Sequence, residues 1–403
     1  MTALLFLPTD AARERAFCSG DIMMRKTRVL VVCQWPLGGI RTYLKYNYQL
    51  FPKDEFDITL LANPSIEKES VKKDMDIADV KVIWAQPLLG RNVLSWRTFT
   101  TLLKDRFDLI HSQGFISAFH VAMVNWLFRK PHVLTIHGIL EDKYFSGGLG
   151  RLKRRALGFA FRNVTVFHGV GHDILEHFGN GFPRLRRGKA RWIAITNGIK
   201  SERFVDEIPD TAVNLRAQHN LKVDTTVFGF FGRFMPQKGF NYIIDAVRLL
   251  HGQMSVPSDF VVLAVGSGDY EKEYKDDVRQ TGLSDRFRFM SFTPAVYEIM
   301  KGCDAVLMPS VWEAYPILSS EVLCSGIPLI ASDCIGLREA TKDTPTITIP
   351  AHNVEALAEA MASIIQQPQI KDRFKTYQME AARKFDVSNF AAQLVELFRE
   401  TLR

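Results

Sequence analysis

The sequence predicts two doubly wound, Rossmann-like α/β domains facing each other across a cleft, on three observations. At 403 residues the chain exceeds what one ordinary core holds, and domains of roughly 150 to 200 residues are the usual solution. Short runs of β-branched hydrophobes alternate with segments of helical period, which is how a parallel sheet covered by helices on both faces reads in sequence. That alternation stops over residues 200–224, where Asp206, Glu207, Pro209 and Asp210 gather, and then begins again.

Residues 1–26 mix small, charged and apolar side chains without a sustained period and read as a loose extension, with Met23 and Met24 as alternative starts. Arg28–Gln34 is nearly continuous β-branched hydrophobe, as a strand buried on both faces requires. Equivalent runs follow at Phe56–Ala62, Val80–Ala85, Asp108–Ser112, His132–His137, Asn163–Phe167 and Arg191–Thr196, with helix-period stretches such as Phe115–Phe128 between them. A first domain over residues 27–203 is expected, then a linker over 204–224 with a helical piece near Val213–His219. The second set of strands is Val227–Phe231, Phe260–Val265, Arg286–Met290, Asp304–Pro309, Pro328–Ser332 and Thr346–Ile349. Helices at about 239–251, 270–281, 295–302, 317–325 and 353–366 interleave with them, which predicts a second domain over 225–385. Residues 386–403 form an amphipathic helix whose stripe of Phe390, Leu394, Val395, Leu397, Phe398 and Leu402 needs a surface to cover.

The composition, 47% hydrophobic, 11% aromatic and 24% charged, excludes disordered, collagen-like and coiled-coil classes. No uncharged apolar run reaches the ~18 residues of a membrane-spanning helix, and Met1–Pro8 lacks the basic start of a signal peptide. A cytoplasmic chain is therefore expected. The five cysteines show neither a C-x-x-C pair nor histidine at ligand spacing, so reduced, packing thiols are expected. Residues 1–205 carry 31 Lys/Arg and 18 Asp/Glu, net +13, whereas 206–403 carry 20 and 26, net −6, together the +7 of the whole chain. The basic clusters Arg151–Arg155 and Arg184–Arg191, interleaved with Leu152, Leu157, Phe159 and Phe161, suit an anionic membrane surface. No nucleic-acid motif accompanies them, and no nucleic-acid partner is expected.

Ligands of doubly wound sheets bind beyond the carboxyl ends of the strands. After the first strand come Gly38 and Gly39 at a helix start, where a backbone can approach a ligand closely. The strand Val227–Phe231 delivers Gly232, then Arg233, then Lys238 and Gly239 before a helix, and two cations beside a helix end suit a diphosphate. Glu313 follows a strand and Glu321 lies early in the next helix, paired acceptors suited to a polyhydroxylated ligand. His137, followed by Gly138, ends a strand and should project into the cleft; His111 is placed similarly on the neighbouring strand and reads as structural or acceptor-side. Gly266-Ser-Gly268 lacks the third glycine of a dinucleotide fingerprint, and no Walker phosphate loop is present.

Together these residues resemble the family 4 glycosyltransferases (glycosyltransferase group 1), retaining enzymes of the GT-B fold that use nucleotide sugars. The resemblance rests on Gly38-Gly39, His137-Gly138, Asn197-Gly198, Gly232-Arg233 with Lys238-Gly239, Gly266-Ser-Gly268, and Glu313 through Glu321, in the family's order from about residue 28 to 385. The chain departs after Glu313, where Ala314-Tyr315-Pro316 replaces the family's frequent Gly-Phe-Gly. The resemblance implies that Arg233 and Lys238 bind the donor diphosphate, Glu321 the ribose, Glu313 the donor sugar, and His137 the sugar near the reacting carbon. Gly38, Gly39, Gly232, Ala314, Tyr315 and Val296, the last in the loop Phe292–Val296 against the base, would complete the donor site. Arg41 and His111 would lie on the acceptor side, and the last helix would pack back on the first domain. No cofactor and no metal are expected, and the acceptor would be a glycan or lipid-linked sugar of the cell envelope, met at the cytoplasmic face of the membrane. A sugar-nucleotide epimerase on the same fold, or a catalytically silent binding module, is the alternative.

Overall fold

In the computed structural model, which describes residues 25–65, 67–86, 93–141, 145–205, 215–251, 259–291, 293 and 296–403, the apolar runs become the strands of two parallel sheets. The first sheet holds β1 (Thr27–Cys33), β2 (Phe56–Ala62), β3 (Lys81–Trp84), β4 (Leu109–Gln113), β5 (His132–Ile136), β6 (Val166–Gly169) and β7 (Arg191–Ala194), in the order β3-β2-β1-β4-β5-β6-β7. The second holds β8 (Thr226–Phe231), β9 (Phe260–Val265), β10 (Phe287–Met290), β11 (Ala305–Met308), β12 (Leu329–Ser332) and β13 (Ile347–Ile349), in the order β10-β9-β8-β11-β12-β13. Central strands such as β1 and β9 are buried on both faces, hence their unbroken apolar sequence.

Helices of the first half are α1 (Gly38–Gln49), α2 (Lys68–Ile77), α3 (Leu94–Lys104), α4 (Gly114–Phe128), α5 (Gly147–Ala160), α6 (His172–Gly181) and α7 (Pro183–Arg186). Right-handed crossovers put α1 and α2 on one face of the first sheet and α3 to α7 on the other. The short α8 (Glu202–Val205) leads to the second half, with α9 (Phe240–His251), α10 (Glu271–Gln280), α11 (Val296–Lys301), α12 (Ile317–Cys324), α13 (Leu337–Ala340), α14 (Val354–Gln366) and α15 (Ile370–Lys384).

Three expectations shift. Phe161–Asn163 tightens into a 3-10 turn closing α5, so the strand expected at Asn163–Phe167 begins only at Val166. Ile199 and Phe204 pack in the second core, and the Phe204 ring meets Tyr297 at 5.2 Å, so the chain crosses between the halves ahead of the 204–224 linker. Of the helical piece near Val213–His219, residues 215–218 are helical and 213–214 lie outside the described residues. The extension 1–26 likewise falls outside them up to residue 24, with Cys18 inside that stretch, while Thr27 already belongs to β1. Cys33, Cys303, Cys324 and Cys334 are free and buried.

The last helix, α16 (Val387–Leu402), returns to the first half. The two crossings pair with each other: Ile199 N–H donates to Phe385 O and Val387 N–H to Ile199 O, both at 2.8 Å. From there Leu394, Val395, Leu397 and Phe398 enter the core of β1, β2 and α1. Phe398 is fully buried, its ring 5.4 Å from Phe51 and 5.1 Å from His111. Arg399 seals the edge with two hydrogen bonds to Glu55, at 2.9 and 2.6 Å. Phe398→Ala should destabilise the first domain by about 3–5 kcal/mol, the usual cost of truncating a buried aromatic. The check is the urea midpoint of that domain's transition; an unchanged midpoint would show that α16 is not part of its core.

Candidate functional site

Strand order reverses between β1 and β4 in the first sheet and between β8 and β11 in the second. At such switch points the connections leave in opposite directions and open a crevice at the carboxyl ends. The segments after β1 and β4 are Gln34–Gly39 and Gly114; those after β8 and β11 are Gly232–Gly239 and Pro309–Tyr315. Eight of the thirteen candidate site residues fall there, Gly38, Gly39, Gly232, Arg233, Lys238, Glu313, Ala314 and Tyr315; His137 follows β5, Val296 and Glu321 lie on helices, and Arg41 and His111 lie on α1 and β4.

In the second half, Gly239 has φ +69° and a Cβ on it would strike the Pro309 carbonyl, so only glycine lets the two segments lie together. Val311 N–H donates to Gln237 O at 2.8 Å and Gln237 Nε2 to Trp312 O at 3.0 Å, fixing one segment on the other. The fixation brings Lys238 Nζ to 2.6 Å from Glu313 Oε1, which also accepts from Ser310 Oγ at 2.8 Å. Glu313 is buried and Lys238 partly so. Arg233 is exposed and has no ion-pair or hydrogen-bond partner among the described residues. Gly336, at φ +78°, packs its α-carbon on the Glu313 carbonyl, and Ile335 O accepts from Glu313 N–H at 3.0 Å. Glu321 stands in the second turn of α12, where burial pushes its carboxyl up to about 7 against the pull of Arg203. Ala314 is half-buried and Tyr315 buried, its carbonyl accepting from Asn197 Nδ2 at 2.9 Å across the halves. Of the loop expected against a base, Val296 opens α11 and Phe292, Pro294 and Ala295 lie outside the described residues.

Across from this, Gly38 (φ +53°) and Gly39 open α1, and no atom lies within 4 Å of a Cβ built on either, or on Gly138. His137 stands beside that space. Its Nε2 donates to Gln113 Oε1 at 2.7 Å and its ring meets Tyr43 edge-on at 4.9 Å. Burial, helped by His168, pushes its pKa down to about 3. The ring is neutral, and with its proton on Nε2 the Nδ1 lone pair remains an acceptor.

Behind His137 runs a hydrogen-bonded chain that the sequence did not disclose. His168 Nε2 lies 3.1 Å from the Ile195 carbonyl and must donate, so its Nδ1 accepts from Thr135 Oγ1 at 2.8 Å. Thr135 then accepts from His111 Nε2, and His111 Nδ1 accepts from Tyr48 OH at 2.7 Å. Every tautomer is fixed by the one before it. His111, fully buried within this chain, is therefore a core residue, the structural of its two readings, and has no face toward an acceptor. Arg41 is also committed inside the first half, to Asp74 and Glu67, each at 2.7 Å.

A second arrangement missed by the sequence joins the halves. Glu339 of α13 accepts from the N–H groups of His172 and Asp173 at 2.9 Å each, capping α6 from the opposite domain. Asp173 replies, accepting from Arg338 Nε at 2.7 Å, Arg338 Nη2 at 3.0 Å and Gly336 N–H at 3.0 Å. Burial raises the Asp173 carboxyl, but these donors outweigh it and hold it below the usual range.

Compared with known proteins, residues 37–203 match the profile of Glycosyltransferase Family 4 and residues 213–381 that of Glycosyl transferases group 1. The chain is 21% identical over 377 residues to the Escherichia coli UDP-Gal:alpha-D-GlcNAc-diphosphoundecaprenol alpha-1,3-galactosyltransferase, across 90% of this chain and 94% of that one. It is 28% identical over 324 residues to a Corynebacterium glutamicum D-inositol 3-phosphate glycosyltransferase, across 76% and 75%. Anabaena HepE, solved in complex with UDP-glucose, superposes with a TM-score of 0.78 at 21% identity, over 93% of this chain and 99% of that one. The two-sheet architecture is thus the GT-B fold.

The buried histidines predict acid lability. Burial depresses His132 to about 3 and His168 to about 4, and His111 well below its usual value. These rings stay neutral when folded and protonate near pH 6.5 when unfolded, so their stabilisation is complete above pH 6.5 and is lost as pH falls toward the folded values. Each should remove about 1.4 kcal/mol per pH unit in that window. Urea midpoints between pH 7.5 and 5 measure this; a flat profile would contradict the neutral assignment.

Proposed function

The chain belongs to the family 4 (group 1) glycosyltransferases, and on that premise we propose that it moves a hexose from a UDP-sugar, with retention of configuration, to a glycan or lipid-linked acceptor at the cytoplasmic face of a membrane. The observation that carries this reading is the Lys238–Glu313 contact at the β8/β11 switch point, with Arg233 exposed in the same Gly232–Gly239 segment, together with the open space over Gly38 and Gly39 after β1. A uridine donor is favoured because the Anabaena protein was solved with UDP-glucose and the Escherichia coli relative is named for UDP-Gal.

In this reading the acceptor hydroxyl attacks the anomeric carbon while the bond from that carbon to the phosphate oxygen breaks, its electron pair leaving on the diphosphate. The leaving oxygen takes the acceptor's proton on the same face. Arg233 and Lys238 face the charge that develops there and favour the transition state over the ground state. A diphosphate that draws Lys238 to itself also frees Glu313 for the hydroxyls of the donor sugar. Glu321 would hold the ribose. His137, neutral above about pH 3, serves as an acceptor for a sugar hydroxyl through Nδ1 and not as an acid.

Protection of the protein from heat unfolding by individual UDP-sugars tests donor binding. Proton coupling at the new linkage, measured with a chelator present, tests retention and metal independence. Inverted product, or activity that a chelator abolishes and magnesium restores, contradicts the proposal. Arg233→Ala should lower turnover about 100-fold or more while leaving the melting temperature unchanged, since Arg233 has no described internal partner. Unaltered turnover with a verified donor and acceptor would remove Arg233 from the diphosphate site.

A further inference from the structure

We propose that the outer face of α3, α4 and α5 is a membrane-inserting surface that seats the first domain on an anionic bilayer. The proposal rests on the reading above that the acceptor is met at a membrane. The three helices lie side by side, α3 against α4 and α4 against α5. On α3, Trp96 and Leu103 are 60% and 61% exposed and fall seven residues apart, on one side. On α4, Met123, Trp126 and Leu127 are 61%, 71% and 62% exposed and follow i, i+3, i+4 spacing. The opposite sides are already filled: Leu94 and Leu102 of α3, and Val121 and Val124 of α4, are buried against the sheet. An apolar helix of this kind needs cover on both sides, and among the described residues the outer side of α4 has none. Leu152 and Phe159 extend the face onto α5.

Charge identifies the occupant. The spans of α3, α4 and α5 contain no Asp or Glu. Their cations are Arg97 and Lys104 on α3 and the Arg151–Arg155 cluster on α5, and Arg129 and Lys130 follow α4 directly. Exposed tryptophan and leucine among arginine and lysine is the composition of a surface lying in the headgroup region of a bilayer. Each basic residue near an anionic leaflet adds about 1 kcal/mol of attraction. A second copy using the same face would set these cations against each other, so the bilayer fits better than a symmetric dimer. Helices following a strand's carboxyl end start on the cleft side, so Trp96 and Leu152 lie toward the cleft mouth and Trp126 away from it. The acceptor side of the cleft then opens close to the lipid.

The test is sedimentation of the full chain with vesicles of phosphatidylcholine alone or with phosphatidylglycerol, at low and high salt, with tryptophan emission and quenching by brominated lipid read in parallel. The wild type should bind anionic vesicles, shift its emission to the blue and be quenched. Trp96→Ser with Trp126→Ser should weaken binding by about tenfold or more and retain the wild-type melting temperature. Changing Arg151, Lys153, Arg154 and Arg155 together to Ser should remove the salt-sensitive part. The proposal is overturned if the wild type ignores vesicles, if its tryptophans are not quenched, if the tryptophan pair is dispensable, or if removal of residues 1–24 alone abolishes binding. It is also overturned if the tryptophan variant converts a dimer to a monomer without affecting vesicle binding. Donor protection is measured on the same preparations: lost vesicle binding with intact protection by UDP-sugars rejects the membrane face only, and the reverse rejects the transferase reading.

Discussion

An exchange of charge across the cleft holds the two switch points face to face. Asp173 reaches from the start of α6 to Arg338 and to the N–H of Gly336, and Glu339 reaches back to cap α6. A carboxylate at a helix start is favoured by the exposed N–H groups there, and a two-point Arg–Asp contact fixes direction as well as distance. Gly336 is seated on the Glu313 carbonyl, so the contact that sets the opening between the halves also bears on the loop carrying a proposed donor ligand. Arg338 remains more than half exposed, and exposed pairs are individually worth up to about 1 kcal/mol. The link therefore fixes direction more than it adds stability, beside the Asn197–Tyr315 hydrogen bond that also joins the halves.

The two sides of the cleft are electrostatically unlike. The second half presents cations and an ion pair; the first presents neutral imidazole on a neutral polar chain. Keeping His111, His137 and His168 uncharged costs acid stability, but it keeps positive charge on the first sheet away from the proposed sugar site. Lys238 and Arg233 are the cations of the segments that follow β1, β4, β8 and β11.

Much of this was legible in the sequence. The strands of both sheets could be read because a parallel strand buried on both faces must be apolar throughout, and Phe56–Ala62 and Phe260–Val265 coincide with the observed elements. The site residues could be located because switch points concentrate them after β1, β5, β8 and β11. Illegible was anything that depends on partners distant in sequence. His111 and His137 end neighbouring strands in similar contexts, and only the pairing of β4 with β5 shows that one ring is enclosed by Tyr48 and Thr135 while the other reaches open space. The Lys238–Glu313 pair spans 75 residues and the Asp173–Arg338 pair 165. The pairing of Arg41 with Glu67 and Asp74 was illegible for the same reason, since neither has a periodic relation to it.

The return of α16 has a consequence for how the molecule is made. The ribosome releases the first half early, but that half lacks Leu394, Leu397 and Phe398 until α16 has emerged. The second half, whose strands β8 to β13 follow one another in sequence ahead of α16, holds most of its own core as soon as it emerges. The half synthesised later can therefore close first, and the earlier half waits with an apolar groove exposed along α1 and β2. A nascent chain of this topology is most open to chaperones and to aggregation in its oldest part, and α16 acts as the lock.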